Sequence, residues 1–190
     1  MGLRFRRPTG DELAATLERC RSDSLSYEPV GVATDRTTTP PGLHRRRWTT
    51  LLDGPAAFDN GAAAIRAWAI HRGAGLVVVA DGPIAVGTNV AMSAPLPVGY
   101  VIATCRIVAV SDEPDRYGFV YGTLSVHPER GEEAFMLTRD DRGLVHFDVD
   151  AVSAPRDPLA RLLAPVANLL QDRAARRYLS AIQQANTPSA

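Results

Sequence analysis

The chain has 190 residues, 45% of them hydrophobic and 22% charged, and its 21 basic side chains balance 21 acidic ones for a formal net charge of zero. This composition excludes a disordered chain, which needs low hydrophobicity and high net charge, and two cysteines, Cys20 and Cys105, exclude a disulfide-dense scaffold. Every basic residue is arginine and none is lysine, which reads as coding bias, so arginine content alone is no argument for nucleic acid.

In chain order, Thr9 or Asp11 caps an opening helix that places Leu13, Ala14 and Leu17 on one face and ends near Cys20. Residues 22–42 are turn-rich, with room for a short strand at 30–33. Residues 45–52 alternate as a strand, which Asp53-Gly54-Pro55 stops. Phe58, Ala62, Ile65, Trp68 and Ala69 then recur at helical spacing, predicting one amphipathic helix to about His71, ended by Gly73 and Gly75. Beyond it the period falls toward two. Residues 76–80, 89–93, 100–110, 117–126, 132–139 and 144–153 are rich in Val, Tyr, Thr and Ile and separated by short turns, the pattern of an antiparallel meander. Asp157-Pro158 opens a last helix with Leu159, Leu162, Leu163, Val166, Leu169, Leu170, Ala174, Tyr178 and Ile182 on one side and a kink expected at Pro165.

Strand, helix, six strands, long helix is the order of an α+β helix-grip fold: a curved antiparallel β-sheet wrapped around a long C-terminal α-helix. A sheet that bends away from its helix cannot interdigitate with it fully, so a cavity for apolar small molecules is expected between them. The division expected is residues 1–24 as N-terminal helix and lead-in, 25–186 as a single helix-grip domain and 187–190 as a tail.

No apolar run follows Arg4, Arg6 and Arg7, so no signal peptide is expected. The most apolar stretch, residues 75–110, is broken by Asp81, Asn89, three prolines and Arg106, short of the roughly 20 uninterrupted apolar residues of a membrane span. A cytoplasmic protein without a membrane span is the expectation, with both cysteines reduced. Neither cysteine has a second ligand at short spacing, so no metal site is expected, and no cofactor is called for. Nothing in the chain sets an oligomeric state.

Candidate sites gather on the hairpin joining residues 117–126 and 132–139. With Val126 opposite Glu132, Thr123 faces Phe135 and Tyr121 faces Leu137, and these residues share one sheet face with Glu133. That face either lines the cavity, with Tyr121, Thr123 and Glu133 as polar anchors among Phe119, Phe135 and Leu137, or belongs to a plain hairpin with Glu133 at its rim. An inward Glu133 would need a partner, for which Arg173 or Arg177 of the last helix is expected. Positions 173 and 177 lie one turn apart, a spacing suited to gripping an anion and equally to solvated surface. Arg45-Arg46-Arg47-Trp48 brings basic groups beside a stacking ring, but on a strand Arg45 and Arg47 oppose Arg46 and Trp48, so no continuous basic stripe and no nucleic-acid partner is expected. The histidines form no cluster, and no catalytic signature of hydrolase, metalloprotease or phosphate-loop type is present.

Tyr121-Gly122-Thr123-Leu124, His127-Pro128, Gly131-Glu132-Glu133-Ala134-Phe135, Tyr27-x-x-Val30-Gly31 with Pro41-Gly42, the Trp68 helix and the run from Gln171 through Arg176-Arg177-Tyr178-Leu179 together resemble uncharacterised protein family 0548, over about residues 25 to 183. The resemblance implies the helix-grip superfamily that includes START lipid-transfer domains, Bet v-type plant allergens and polyketide cyclases. It implies no assigned reaction or ligand. The expectation is a protein that binds a hydrophobic small molecule, lipid-like or aromatic, at Tyr121, Thr123, Glu133, Phe135, Leu137, Arg173 and Arg177. The alternatives are a cavity-based cyclase, hydrolase or isomerase using Glu133 and Tyr121, and a protein-interaction module with a filled core.

Overall fold

The computed structural model describes residues 4–35, 37–156 and 164–187. Helix α1 (Gly10–Cys20) is followed by β1 (His44–Leu52), α2 (Ala57–Arg66), α3 (Ala69–Gly73), β2 (Val77–Ala80), β3 (Asn89–Pro95), β4 (Tyr100–Glu113), β5 (Arg116–Thr123), β6 (Glu129–Arg139), β7 (Val145–Pro155) and α4 (Ala164–Asn186). The seven strands form one antiparallel, curved sheet in the order β1-β7-β6-β5-β4-β3-β2. Only the excursion through α2 and α3 carries the chain from one sheet edge to the other, between β1 and β2.

Thr9 caps α1 by a reciprocal capping box with Glu12: Glu12 N–H donates to Thr9 Oγ1, and Thr9 N–H donates to Glu12 Oε2 at 2.8 Å. The buried face of α1 is Leu13, Thr16, Leu17 and Cys20; Ala14, expected inward, is exposed. The segment after α1 stays in turns, so the short strand expected at 30–33 does not form.

The single helix expected to His71 is two. Trp68 adopts φ 55°, a left-handed conformation that costs a non-glycine residue about 1–2 kcal/mol, and so breaks the helix between α2 and α3. Its indole is packed against His71 and Phe119, with ring centroids 4.8 and 5.1 Å away.

Three buried clusters hold the layers together. The largest lies on the concave face, where Phe119, Tyr121, Phe135, Leu137, Phe147 and Val149 of the sheet meet Phe58, Ile65, Trp68 and Ile70 of α2 and α3 and Tyr178 and Ile182 of α4. On the convex face Tyr27, Val32, Ala33 and Leu43 cover Val120, Ala134, Val152 and Ala154. Beside them Leu13 and Leu17 of α1 pack on Ala91, with Val77, Val79 and Ile102 around them.

The β5–β6 register differs from the expected one by four residues: Tyr121 pairs with Glu133, Phe119 with Phe135 and Tyr117 with Leu137. The strand β5 stops early because residues 124–126 turn to β4, where Leu124 N–H donates to the Thr104 carbonyl and Thr104 N–H donates to the Val126 carbonyl. Four is even, so the expected residues keep their face although their partners change.

Of the last helix, Asp157-Pro158, Leu159, Leu162 and Leu163 lie outside the described residues, as do the side chains of Val166 and Leu170. Pro165 is the second residue of the described α4, so the turn on which its expected kink depends lies outside them too. Ala175, Tyr178, Ala181 and Ile182 face inward, whereas Leu169, expected inward, is exposed.

Candidate functional site

The C-terminal half of α4 packs directly on the aromatic cluster, but its earlier turns span a cavity of about 540 Å³. One side of the cavity is apolar, built from Leu76, Met92, Leu96, Val101 and Ala103 around the β3–β4 hairpin. The other carries Tyr121, Thr123, Glu129, Glu133 and Ser153 from the sheet and Gln171, Arg173, Arg177 and Tyr178 from α4.

Glu133 is the centre of the polar side. The Tyr121 hydroxyl donates to its Oε2 at 2.6 Å, a cross-strand bond made possible by the direct pairing of the two residues. Burial pushes the Glu133 carboxyl up to about 7; the charge of nearby Glu129 adds to this, while the tyrosine bond opposes it. The expected arginine partner is a correction: among the described residues Glu133 is in no ion pair, and the neutral phenol stands where a guanidinium was anticipated. Burial, then the Glu133 charge, pushes both Tyr121 and Tyr178 well above the ordinary phenol range, so both remain donors at neutral pH.

Glu129 lies on the same strand face four residues earlier. Its Oε2 accepts from Ser153 Oγ at 2.8 Å and its Oε1 from Gln171 Nε2 at 2.6 Å, and burial raises its pKa. Glu129 N–H donates to His127 Nδ1 at 3.0 Å, and burial depresses that imidazole to about 4. Thr123 lines the cavity, but its hydroxyl is engaged in the turn, receiving Gly131 N–H at 3.0 Å and bonding Ser26 Oγ at 2.6 Å.

Tyr121, Thr123, Glu133, Arg173 and Arg177 thus line one cavity. Phe135 and Leu137, expected on its wall, are a correction: both are fully buried in the core beneath and do not line it, because α3 and Tyr178 cover Phe135 and α2 covers Leu137. Sequence reasoning did not place Glu129, Ser153, Gln171 or Trp48 at the cavity. Strand parity held a usable signal for the first, since 129 and 133 share a face; Ser153 follows from the β6–β7 register, which places it opposite Gly131.

The arginine-rich strand is absorbed internally. Arg45 and Arg47 reach Asp150 on one sheet face, at 3.3 and 2.7 Å. Arg46 Nη2 at 2.7 Å and Trp48 Nε1 at 3.1 Å donate to Asp172 on the other, tying α4 to β1. The carboxylate of Glu132, a residue 2% exposed, is turned to the convex face and accepts from Tyr27 Oη and Gly31 N at 2.6 Å and Ala33 N at 2.8 Å. Gly122 is required beside it, because a Cβ there would collide with the Tyr27 ring. The motif Tyr27-x-x-Val30-Gly31 and Glu132 are therefore two halves of one carboxylate cradle on the convex face.

His71 lies deepest. It is fully buried, 4.6 Å from Phe135 and 5.1 Å from Tyr178 by ring centroid; among the described residues neither ring nitrogen has a hydrogen-bond partner, and burial holds its pKa down at about 3. Among the described residues no group of three or more His, Cys, Asp or Glu is placed to hold a metal ion, and no helix is long and apolar enough to cross a membrane.

Residues 26–181 match the family described as a domain of unknown function (DUF1990). A protein of uncharacterised family 0548 from Deinococcus radiodurans is 33% identical over 189 residues, covering 92% of this chain and 93% of that one. Among solved structures, a hypothetical protein from Helicobacter pylori superimposes with a TM-score of 0.60 at 10% identity, covering 87% of this chain and 97% of that one. Ara h 8.0201 superimposes with a TM-score of 0.54 at 15% identity, covering 76% and 98%. At such identities the structural likeness concerns the fold.

Proposed function

The chain belongs to the DUF1990 family and to uncharacterised protein family 0548, and has the helix-grip fold; from that premise we propose that it binds an apolar small molecule, lipid-like or aromatic, in the cavity between sheet and α4. The observation that carries this is the cavity itself. About 540 Å³ falls within the usual range of small-molecule sites and far exceeds the packing defects of a filled core. Its composition supports the same reading, an apolar wall for the body of a ligand and a few converging polar groups to orient it. In this reading Glu133 and Tyr121 bond a polar substituent of the ligand, Thr123 shapes the floor, and Arg173 and Arg177 stand on the α4 side. Phe135 and Leu137 support that floor from behind.

The test is native mass spectrometry of protein purified without denaturation, followed by titration with Nile red as a neutral apolar probe. A retained adduct or saturable probe binding is expected, and Ala103→Phe, which fills the apolar side, should abolish it while the protein still melts cooperatively. Failure of both adduct and probe to appear would remove the proposal.

A second reading is enzymatic. A carboxyl poised near 7 beside a phenol suits proton transfer within a bound substrate, as in a cyclase, hydrolase or isomerase. Turnover lost in Glu133→Gln with ligand affinity retained would favour it over binding alone.

A further inference from the structure

Resting on the cavity reading, we infer that the ligand is an amphiphilic anion whose carboxylate or phosphate is gripped by Arg173 and Arg177 while its apolar body lies toward Leu76, Met92 and Val101. Other arginines near the cavity are spoken for. Arg46 pairs with Asp172 at 2.7 Å, and Arg156 donates to the carbonyls of Leu124 and Ser125. Arg173 and Arg177 line the cavity with their residues exposed to solvent, and among the described residues neither takes part in a hydrogen bond or ion pair.

The two sit four residues apart on α4, one helical turn, a spacing at which a single anion can be met by both guanidinium groups. Carboxylate and phosphate both fit, because a planar guanidinium binds two oxygens of either in a fork. The cavity already contains two carboxyl groups, Glu129 and Glu133, yet their bonds come from the neutral donors Ser153, Gln171 and Tyr121. The arginines are left for a charge that arrives from outside the chain. Glu129 and Glu133 bring no positive charge to the sheet wall, which fixes the ligand's direction: acidic head against α4, apolar body toward the β3–β4 hairpin.

The experiment displaces Nile red from the full chain with four twelve-carbon amphiphiles below their micelle concentrations: dodecanoic acid, dodecyl phosphate, dodecanol and dodecyltrimethylammonium. One or both acids should bind at least tenfold more tightly than dodecanol, with the tighter of the two naming the head group. Arg173→Gln/Arg177→Gln should bring the acids down to the affinity of dodecanol and leave dodecanol unchanged. Arg176→Gln, which removes a charge from the same helix outside the cavity lining, should leave the acids as they were.

Equal affinity for acids and alcohol, preference for the ammonium compound, or an equal loss in Arg176→Gln would overturn the inference while the cavity reading stands. Failure of Nile red to bind, with no adduct retained by the purified protein, would instead overturn the cavity reading.

Discussion

At the residue scale two titratable groups, Glu133 on the cavity wall and His71 in the core, respond to pH in opposite directions. Glu133 has its carboxyl raised from 4.5 to about 7, so the folded protein holds a proton that the unfolded chain releases. The stability this contributes is fully present below about pH 4.5 and is lost as pH rises through 7. His71 is depressed from 6.5 to about 3, so here the unfolded chain binds the extra proton, and stability present above about pH 6.5 is lost as pH falls toward 3. Between 4.5 and 6.5 the two slopes largely cancel in the wild type.

Single variants should separate them. The melting temperature of Glu133→Gln relative to wild type is expected to rise by several degrees from pH 5 to pH 8, since one pKa unit is about 1.4 kcal/mol and a domain of this size shifts about 2–4 °C per kcal/mol. His71→Leu should gain relative to wild type in the other direction, from pH 6.5 down to pH 4. Thermal melts from about pH 4 to about pH 8 check both, and parallel curves for variant and wild type would mean that neither group titrates as its burial implies.

At the element scale, what the sequence revealed and what it hid divide along a physical line. Seven strands, the capped first helix and the face shared by Tyr121, Thr123 and Glu133 were readable because local periodicity and parity specify them. The four-residue register error was not readable, because residues 124–126 leave β6 to bond β4, and that competition is tertiary. The break at Trp68 was hidden for the same reason: helical spacing continues through it, and only packing against Phe119 and His71 holds the left-handed turn. The inward face of Glu133 was readable but its partner was not, since charge pairing suggested arginine where the register supplied Tyr121.

The same break lets α3 lie close against α4, and Gly73 is the point of contact. A Cβ built there would stand 2.7 Å from the Ala181 Cβ, with no flexible side chain to yield. Alanine ordinarily favours a helix over glycine by about 1 kcal/mol, yet Gly73→Ala is expected to destabilise the protein by about 1–3 kcal/mol as the helices are forced apart. Gly10, at the start of α1 with open space around it, is the control: Gly10→Ala should be neutral or slightly stabilising. Urea denaturation of both variants reads the contrast, and a stabilised Gly73→Ala would show that α3 and α4 separate without cost.

At the scale of the whole molecule, α4 does two jobs along its length. Tyr178 and Ile182 complete the concave core, and the turns before them roof the cavity, so a site left open is supported by packing next to it instead of by its own contacts. The sheet between these layers is covered on its convex side by the N-terminal segment. Leu13 and Leu17 pack over β2 to β4, Arg106 donates to the carbonyls of Asp23 and Arg21 at 2.9 and 2.8 Å, and the Tyr27–Glu132 cradle fastens the next stretch to β6. Helix α1 precedes the family match, which begins at residue 26, yet its contacts are those of a structural layer.

We therefore expect residues 4–35 to unfold with the core and not ahead of it. The two free cysteines report on the two sides, Cys20 on α1 and Cys105 on the inner face of β4, and both are buried and so unreactive while folded. In variants carrying one thiol each, Cys105→Ala and Cys20→Ala, labelling by a thiol reagent across a urea series should follow each variant's global unfolding, read by circular dichroism. Labelling of Cys20 well below that transition would establish the N-terminal layer as an independently opening unit. Its removal would then expose the convex face while leaving the cavity side folded.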